Sequence, residues 1–174
     1  MKTDKNLLII PFALLLTACM AEGQPVAARI GRDAIISVDG IVLNGNDRLS
    51  TPGSFRPPVD ITIVAKTESA NLRMAYAADQ IIFNWETNPG ELRVDGGPAG
   101  GVHKSDAGEI PKDKYVLIKW VVTAKKQSIY VDKELRYEHE GDYSQIDSPV
   151  SVFAAGSKVT VKSITVRQAL LLSN

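Results

Sequence analysis

Cysteine and histidine are nearly absent from this 174-residue chain: one Cys, Cys19, and two His, His103 and His139. One thiol excludes a disulfide framework and a multi-thiolate metal site, and two distant imidazoles supply no zinc motif. Charge of one sign is missing as well, because 20 Lys and Arg balance 20 Asp and Glu. A nucleic-acid partner, which asks for a basic stripe and a high pI, is therefore not expected. There is no internal repeat and no sustained helical period. No apolar run reaches the roughly 20 residues of a membrane-spanning helix. No Gly-x-Ser-x-Gly elbow is present, and no glycine-rich loop is followed by the Lys-Ser/Thr pair of a phosphate cradle. What the chain does have is 44% apolar residues, 13 Gly and 9 Pro. That describes one domain with a real core rather than a disordered polyampholyte.

Residues 1–18 read as a targeting segment. Lys2 and Lys5 precede the apolar run Leu7-Leu8-Ile9-Ile10-Pro11-Phe12-Ala13-Leu14-Leu15-Leu16, which as helix would cover only about 15 Å, half of a bilayer core. A charged start, a short apolar centre and small residues after it describe a secretory signal peptide. Leu16-Thr17-Ala18-Cys19 resembles the lipobox of bacterial lipoproteins. The resemblance implies that Cys19 becomes the lipidated N-terminus, carrying a diacylglyceryl thioether and an N-acyl chain such as palmitate. Several acyl chains anchor firmly where one is marginal. Met20, rather than Asp, follows the cysteine, which in that class favours the outer membrane. Residues 19–28 are expected to form a lipidated tether.

The body reads as strands. Val59, Ile61, Ile63 and Ala65 alternate with Asp60, Thr62, Val64 and Lys66, and Leu72 and Met74 with Arg73 and Ala75. Ile81, Phe83 and Trp85 point opposite to Ile82, Asn84 and Glu86, which places Trp85 in the core. Tyr115–Thr123, with Trp120, is apolar on both faces, as a central core strand is. Ile129 and Val131, Leu135 and Tyr137, then Val150 and Val152 follow, with a tight hairpin at Asp132-Lys133. In the last strand Val159 and Val161 share one parity, Ile164 and Val166 the other. One extra residue near Lys162-Ser163, a β-bulge, would turn all four inward. With Arg29–Val38 and Ile41–Leu43, about ten strands are predicted, at the spacing of an all-β, antiparallel two-sheet jelly-roll sandwich over residues 29–168. A C-terminal tail fills 169–174. Both ends of the body are expected to pair near each other at an edge.

From Val59 onward the order of features resembles the concanavalin A-like lectin/glucanase superfamily, including its laminin-G-like and sugar-hydrolase-like jelly rolls. The features are Asn71-Leu72-Arg73, Ile81–Glu86, Glu91-Leu92-Arg93, the strand Tyr115–Trp120, the hairpin ending Val131-Asp132, and the closing Val159–Val166. Members usually carry Asp-Gly at that turn; Lys133 here points to another turn type. The resemblance implies a β-sandwich that hosts lectins, hydrolases or adhesion modules.

A sugar-binding groove needs flat aromatic faces and convergent amide, Arg and carboxylate groups. Asn84 and Glu86 on one strand face, with Arg73 and Arg93 on neighbouring strands, are the candidate polar lining. Tyr76 and Tyr143, near strand ends, are the candidate exposed stacking rings. Hydrolysis would need two carboxylates flanking the bond. The Glu-x-Asp-x-Glu run of laminarinase-type members is absent, and Glu86 and Glu91 flank the turn Asn88-Pro89-Gly90. They could converge only across a hairpin. No catalytic residue, cofactor or metal is therefore assigned. Asp95–His103 reads as a flexible glycine-rich loop over one rim, and Glu138-His139-Glu140-Gly141-Asp142 as a solvated turn rather than a Ca²⁺ site. The expected role is a non-catalytic carbohydrate-binding or adhesion module on a membrane-anchored envelope lipoprotein. The alternatives are a glycan-active hydrolase and a structural lipoprotein that binds another envelope protein.

Overall fold

The computed structural model describes residues 29–168; the signal segment 1–18, the tether with Cys19 and the tail 169–174 lie outside the described residues. Twelve strands form two antiparallel sheets. In chain order they are β1 (Arg29–Gly31), β2 (Ala34–Gly45), β3 (Arg48–Ser50), β4 (Val59–Thr67), β5 (Leu72–Ala75), β6 (Gln80–Phe83), β7 (Arg93–Asp95), β8 (Val116–Val122), β9 (Lys126–Val131), β10 (Glu134–Glu140), β11 (Ser151–Phe153) and β12 (Ser157–Gln168). The larger sheet runs β1-β2-β12-β4-β8-β9-β10 and the smaller β3-β11-β5-β6-β7. The fold is the expected all-β jelly-roll sandwich.

Period two decides which side chains meet between the sheets. On β4, Val59, Ile61, Ile63 and Ala65 are buried, and on β8 so are Val116, Ile118, Trp120 and Val122. Register aligns them, with Ile61 opposite Trp120 and Ile63 opposite Ile118. The small sheet contributes Leu49, Val152, Met74, Ile81 and Val94, one per strand and all in register. Trp120 sits in this layer, and its indole N–H donates to Gln127 Oε1 at 3.0 Å, which satisfies the one polar atom of a fully buried ring.

The bulge in the last strand is present. On β12, Val161 pairs with Ala65 but Ser163 with Val64, so Lys162 is the extra residue. Val159, Val161, Ile164 and Val166 are then all buried. Opposite it, β2 passes from Ile36 to Ile41 across the same step, and Gly40 takes a φ of 89° there. A Cβ on Gly40 would lie 2.6 Å from Thr160 Cγ2 and 3.0 Å from the Tyr115 hydroxyl, so both the conformation and the space require glycine.

Several expectations change. β12 is interior, between β2 and β4, so of the first and last strands only β1 lies at a sheet edge, and the two do not pair. The span read as one strand over Arg29–Val38 is a hairpin that turns at Arg32-Asp33, and β2 then continues through Gly40 to Gly45. β3 was not foreseen. On β8 only one face is covered, and the outward Leu117 is 42% exposed. Asp132 and Lys133 both adopt positive φ, 49° and 77°, with Val131 paired to Glu134. This is the two-residue loop with both central residues left-handed that an Asp-Gly pair would make. Lys133 occupies the glycine position without a change of turn type.

A β-carbon in the left-handed region costs roughly 1–2 kcal/mol, while glycine is entropically freer when unfolded. Lys133→Gly is expected to raise the unfolding free energy by about 1 kcal/mol, read by denaturant titration. Gly40→Ala should lower it by more than that.

Candidate functional site

The side chains that point away from the core on the small sheet fall into two cross-strand rows. One row is Arg48 (β3), Phe153 (β11), Arg73 (β5), Ile82 (β6) and Arg93 (β7), each in register with the next. The other contains Ser50 and Ser151 on β3 and β11, Ala75 on β5, and Gln80 opposite Asp95 on β6 and β7. The alternation that sends Met74 and Ile81 inward sends these residues out. Ile82 is only 1% exposed although it faces outward; its register neighbours are arginines, whose aliphatic stems lie along apolar surface.

The polar groups form one chain of contacts. Arg73 Nη1 donates to Gln80 Oε1 at 2.8 Å, and Arg73 Nη2 to Asn71 Oδ1 at 3.3 Å. Gln80 Nε2 donates to Asp95 Oδ2 at 2.8 Å, which also accepts from Arg93 Nε at 2.9 Å. Glu86 Oε2 lies 3.6 Å from Arg73 Nη2. The Arg93 guanidinium stands 4.3 Å from the centroid of the Trp85 ring, and that of Arg48 is 3.9 Å from the Phe153 ring, both within cation–π range. Burial alone would raise the Asp95 carboxyl. The hydrogen bonds from Arg93 and Gln80 and the Arg93 charge outweigh it and hold the group below its ordinary value.

Beside the Arg48 end of this face lies a depression of about 370 Å³, lined by Arg48, Ala75, Tyr76, Asp79, Pro98 and Ser151 among others. Its far rim belongs to the glycine-rich stretch. That stretch is a folded-back turn held by Gly101 N–H to Val94 O and Val102 N–H to Ala99 O, with Ala99 in the core. His103 is exposed, and its Nδ1 accepts the Val94 N–H at 3.1 Å. The outer face of the large sheet differs in character: its groove of about 270 Å³ is lined by Leu117, Val121 and Tyr130 with Lys119 and Lys133.

Arg73, Glu86 and Arg93 thus share one outer face. Asn84, Tyr76 and Tyr143 do not belong to its exposed lining. β6 ends at Phe83, and Asn84 is left-handed, with φ 49°, so the strand parity does not carry past it. The Asn84 side chain is 2% exposed. Its Nδ2 donates to Ile110 O, and its Oδ1 accepts from Ile110 N–H, both at 2.9 Å. This is a brace between loops. The same break moves Trp85 out of the core to the half-buried position under Arg93. Tyr76 is 6% exposed; its hydroxyl donates to Phe55 O at 3.2 Å and its ring meets Trp120 edge-on. Tyr143 is fully buried, 2.8 Å from His139 Nδ1 through its hydroxyl. Burial raises the pKa of both phenols, and for Tyr76 the Asp147 charge adds to it. Neither ring is free to stack on a ligand.

Arg48, Phe153, Gln80 and Asp95 were missed. Arg48, Phe153 and Asp95 lie on strands of three residues, too short to show a period, and Gln80 opens β6 one residue before the alternation that starts at Ile81.

No protein-family model matches the chain, and no curated protein matches its sequence. Solved structures do match. A carbohydrate-binding module, CBM66 from Bacillus subtilis, aligns at 10% identity over 79% of this chain and 92% of its own, with a TM-score of 0.56. The fold is that of the concanavalin A-like jelly rolls. Galectin LEC-6 of Caenorhabditis elegans aligns at 14% identity over 76% of this chain and 99% of that one, with a TM-score of 0.53. The exoplasmic/lumenal domain of VIP36 in its Ca²⁺/Man2-bound form aligns at 8% identity over 82% and 81%, with a TM-score of 0.59.

Two outcomes check this geometry. Asn84→Ala leaves the Ile110 N–H and C=O without their partners and is expected to cost about 2 kcal/mol of stability, measured by chemical denaturation. Asp95 has a folded value below its unfolded one, so its contribution is complete above the ordinary carboxylate range and disappears as pH falls through the folded value. Unfolding free energy should therefore decline below about pH 4, and Asp95→Asn should flatten that part of the profile.

Proposed function

We propose that this chain is a non-catalytic carbohydrate-binding module, with the outer face of the small sheet as its binding surface. The observation that carries the reading is the outward cluster of Arg73, Glu86, Arg93, Asp95 and Gln80 beside Trp85 on one sheet face. Guanidinium, amide and carboxylate groups held in fixed geometry suit the hydroxyls of a sugar, and the half-buried Trp85 ring adds apolar surface beside them. The structural likeness to a carbohydrate-binding module and to two lectin domains supports the same reading.

The carboxylate chemistry argues for binding rather than cleavage. A glycosidase acid must have its pKa raised. Asp95, the carboxylate bonded within this face, is held below its ordinary range by Arg93 and Gln80. Glu86 is engaged by the Arg73 guanidinium.

We further propose that the module is anchored to the outer membrane through lipid on Cys19, on the strength of the Leu16-Thr17-Ala18-Cys19 pattern. Mass spectrometry of the protein extracted from membranes should find residues 1–18 removed and an acylated Cys19. An unmodified thiol at the mature start would count against the anchor.

The binding reading is tested by titrating the purified protein against a panel of envelope and plant polysaccharides. Saturable binding to at least one is expected. Arg73→Ala and Glu86→Ala should weaken it several-fold, as loss of one charge-assisted hydrogen bond does, with the melting temperature shifted by no more than a few degrees. Absence of binding across the panel would overturn the reading.

A further inference from the structure

The outer row of the small sheet alternates between cation and apolar side chain: Arg48, Phe153, Arg73, Ile82, Arg93. Adjacent strands are about 4.8 Å apart, so the backbone positions that carry the arginines recur about every 10 Å and the row spans about 19 Å. That repeat matches the length of a disaccharide in an extended polysaccharide. The row runs across the strands, so a chain lying along it would meet one arginine for every second sugar.

The three arginines are not equally neutralised. Arg93 is paired with Asp95 at 2.9 Å, and Arg73 faces Glu86 at 3.6 Å. Arg48 is exposed and has no acidic partner within 4.0 Å among the described residues. Its guanidinium carbon instead stands 3.9 Å over the centroid of the Phe153 ring. This end of the row opens into the 370 Å³ depression, where Ser151 and Ser148 add hydroxyls and Asp79 is the acidic side chain of the lining. A guanidinium that stands on an aromatic ring and lacks a carboxylate partner has its donor fork available for a planar or tetrahedral oxyanion.

Resting on the proposed glycan-binding role, we infer that the preferred ligand is an acidic polysaccharide, with a carboxylate or sulfate group recurring once per disaccharide and one such group held by Arg48. The Glu86 and Asp95 carboxylates keep the other two arginines committed to hydroxyl recognition and orientation. Arg48 supplies the charge selectivity.

The test compares matched polymers on the purified protein: hyaluronan, with one carboxylate per disaccharide, and its carboxyl-reduced form, and a galactan sulfated once per disaccharide and its desulfated form. The acidic member of at least one pair should bind about tenfold more tightly than its neutral partner. The preference should shrink as NaCl is raised, because exposed charges are screened. Which pair shows it distinguishes carboxylate from sulfate. Arg48→Ala should bring the acidic-to-neutral ratio close to one, and Arg48→Lys should restore part of it, since a point charge lacks the fork. Because Arg48 is exposed, the melting temperature of each variant serves as the folding control. Equal binding of acidic and neutral members, or a preference that survives Arg48→Ala, overturns this inference while leaving the glycan-binding role intact. Absence of binding to every polymer, neutral or acidic, overturns both.

Discussion

Two sheets stacked on one apolar layer leave each strand a single choice, which alternate set of residues faces inward. In β12 that choice would fail halfway along, because Val159 and Val161 have the opposite parity to Ile164 and Val166. The extra residue at Lys162 resolves it, and β2 accommodates the step by looping at Gly40. β12 lies between β2 and β4 near the middle of the large sheet. An uncorrected slip there would place Ile164 and Val166 in water and break the register of both neighbours. The core pairs Ile61 with Trp120 and Ile63 with Ile118 stand directly beyond it.

The same parity builds the surface. Once Leu49, Val152, Met74, Ile81 and Val94 are committed to the core, the residues between them are committed to the outside in matching register. An outer row of this kind is rigid because the core row beneath it is rigid. Arg48, Arg73 and Arg93 are therefore held at nearly fixed separations, and the hydrogen bonds through Gln80 and Asp95 fix the orientation of two of them. Such preorganisation lowers the ordering cost of binding.

The site also shows how a fold separates electrostatic duties. Arg93 and Arg73 are compensated by Asp95 and Glu86, while aromatic rings support Arg93 and Arg48 from below. A compensated guanidinium presents its remaining N–H groups as donors with little net field. An uncompensated one adds a field that selects for charge. Both occur in one row, and the difference comes from which strands carry acids.

The amino-acid pattern alone determined the class of fold, most strand positions, the bulge at Lys162 and the core location of Trp120, because alternation over four or more residues is a local signal. It also marked Arg73, Glu86 and Arg93 as surface groups of neighbouring strands. Tertiary structure decided the rest. Asn84 turns left-handed to brace Ile110, and that one backbone angle reversed the reading of Trp85. Tyr76 is buried by contacts with Phe55 and Trp120, remote in sequence, and Tyr143 folds back into the core beside His139. The row from Arg48 to Arg93 exists only because β3 and β11 pair beside β5, and strands of three residues carry no periodicity from which such long-range pairing could be read.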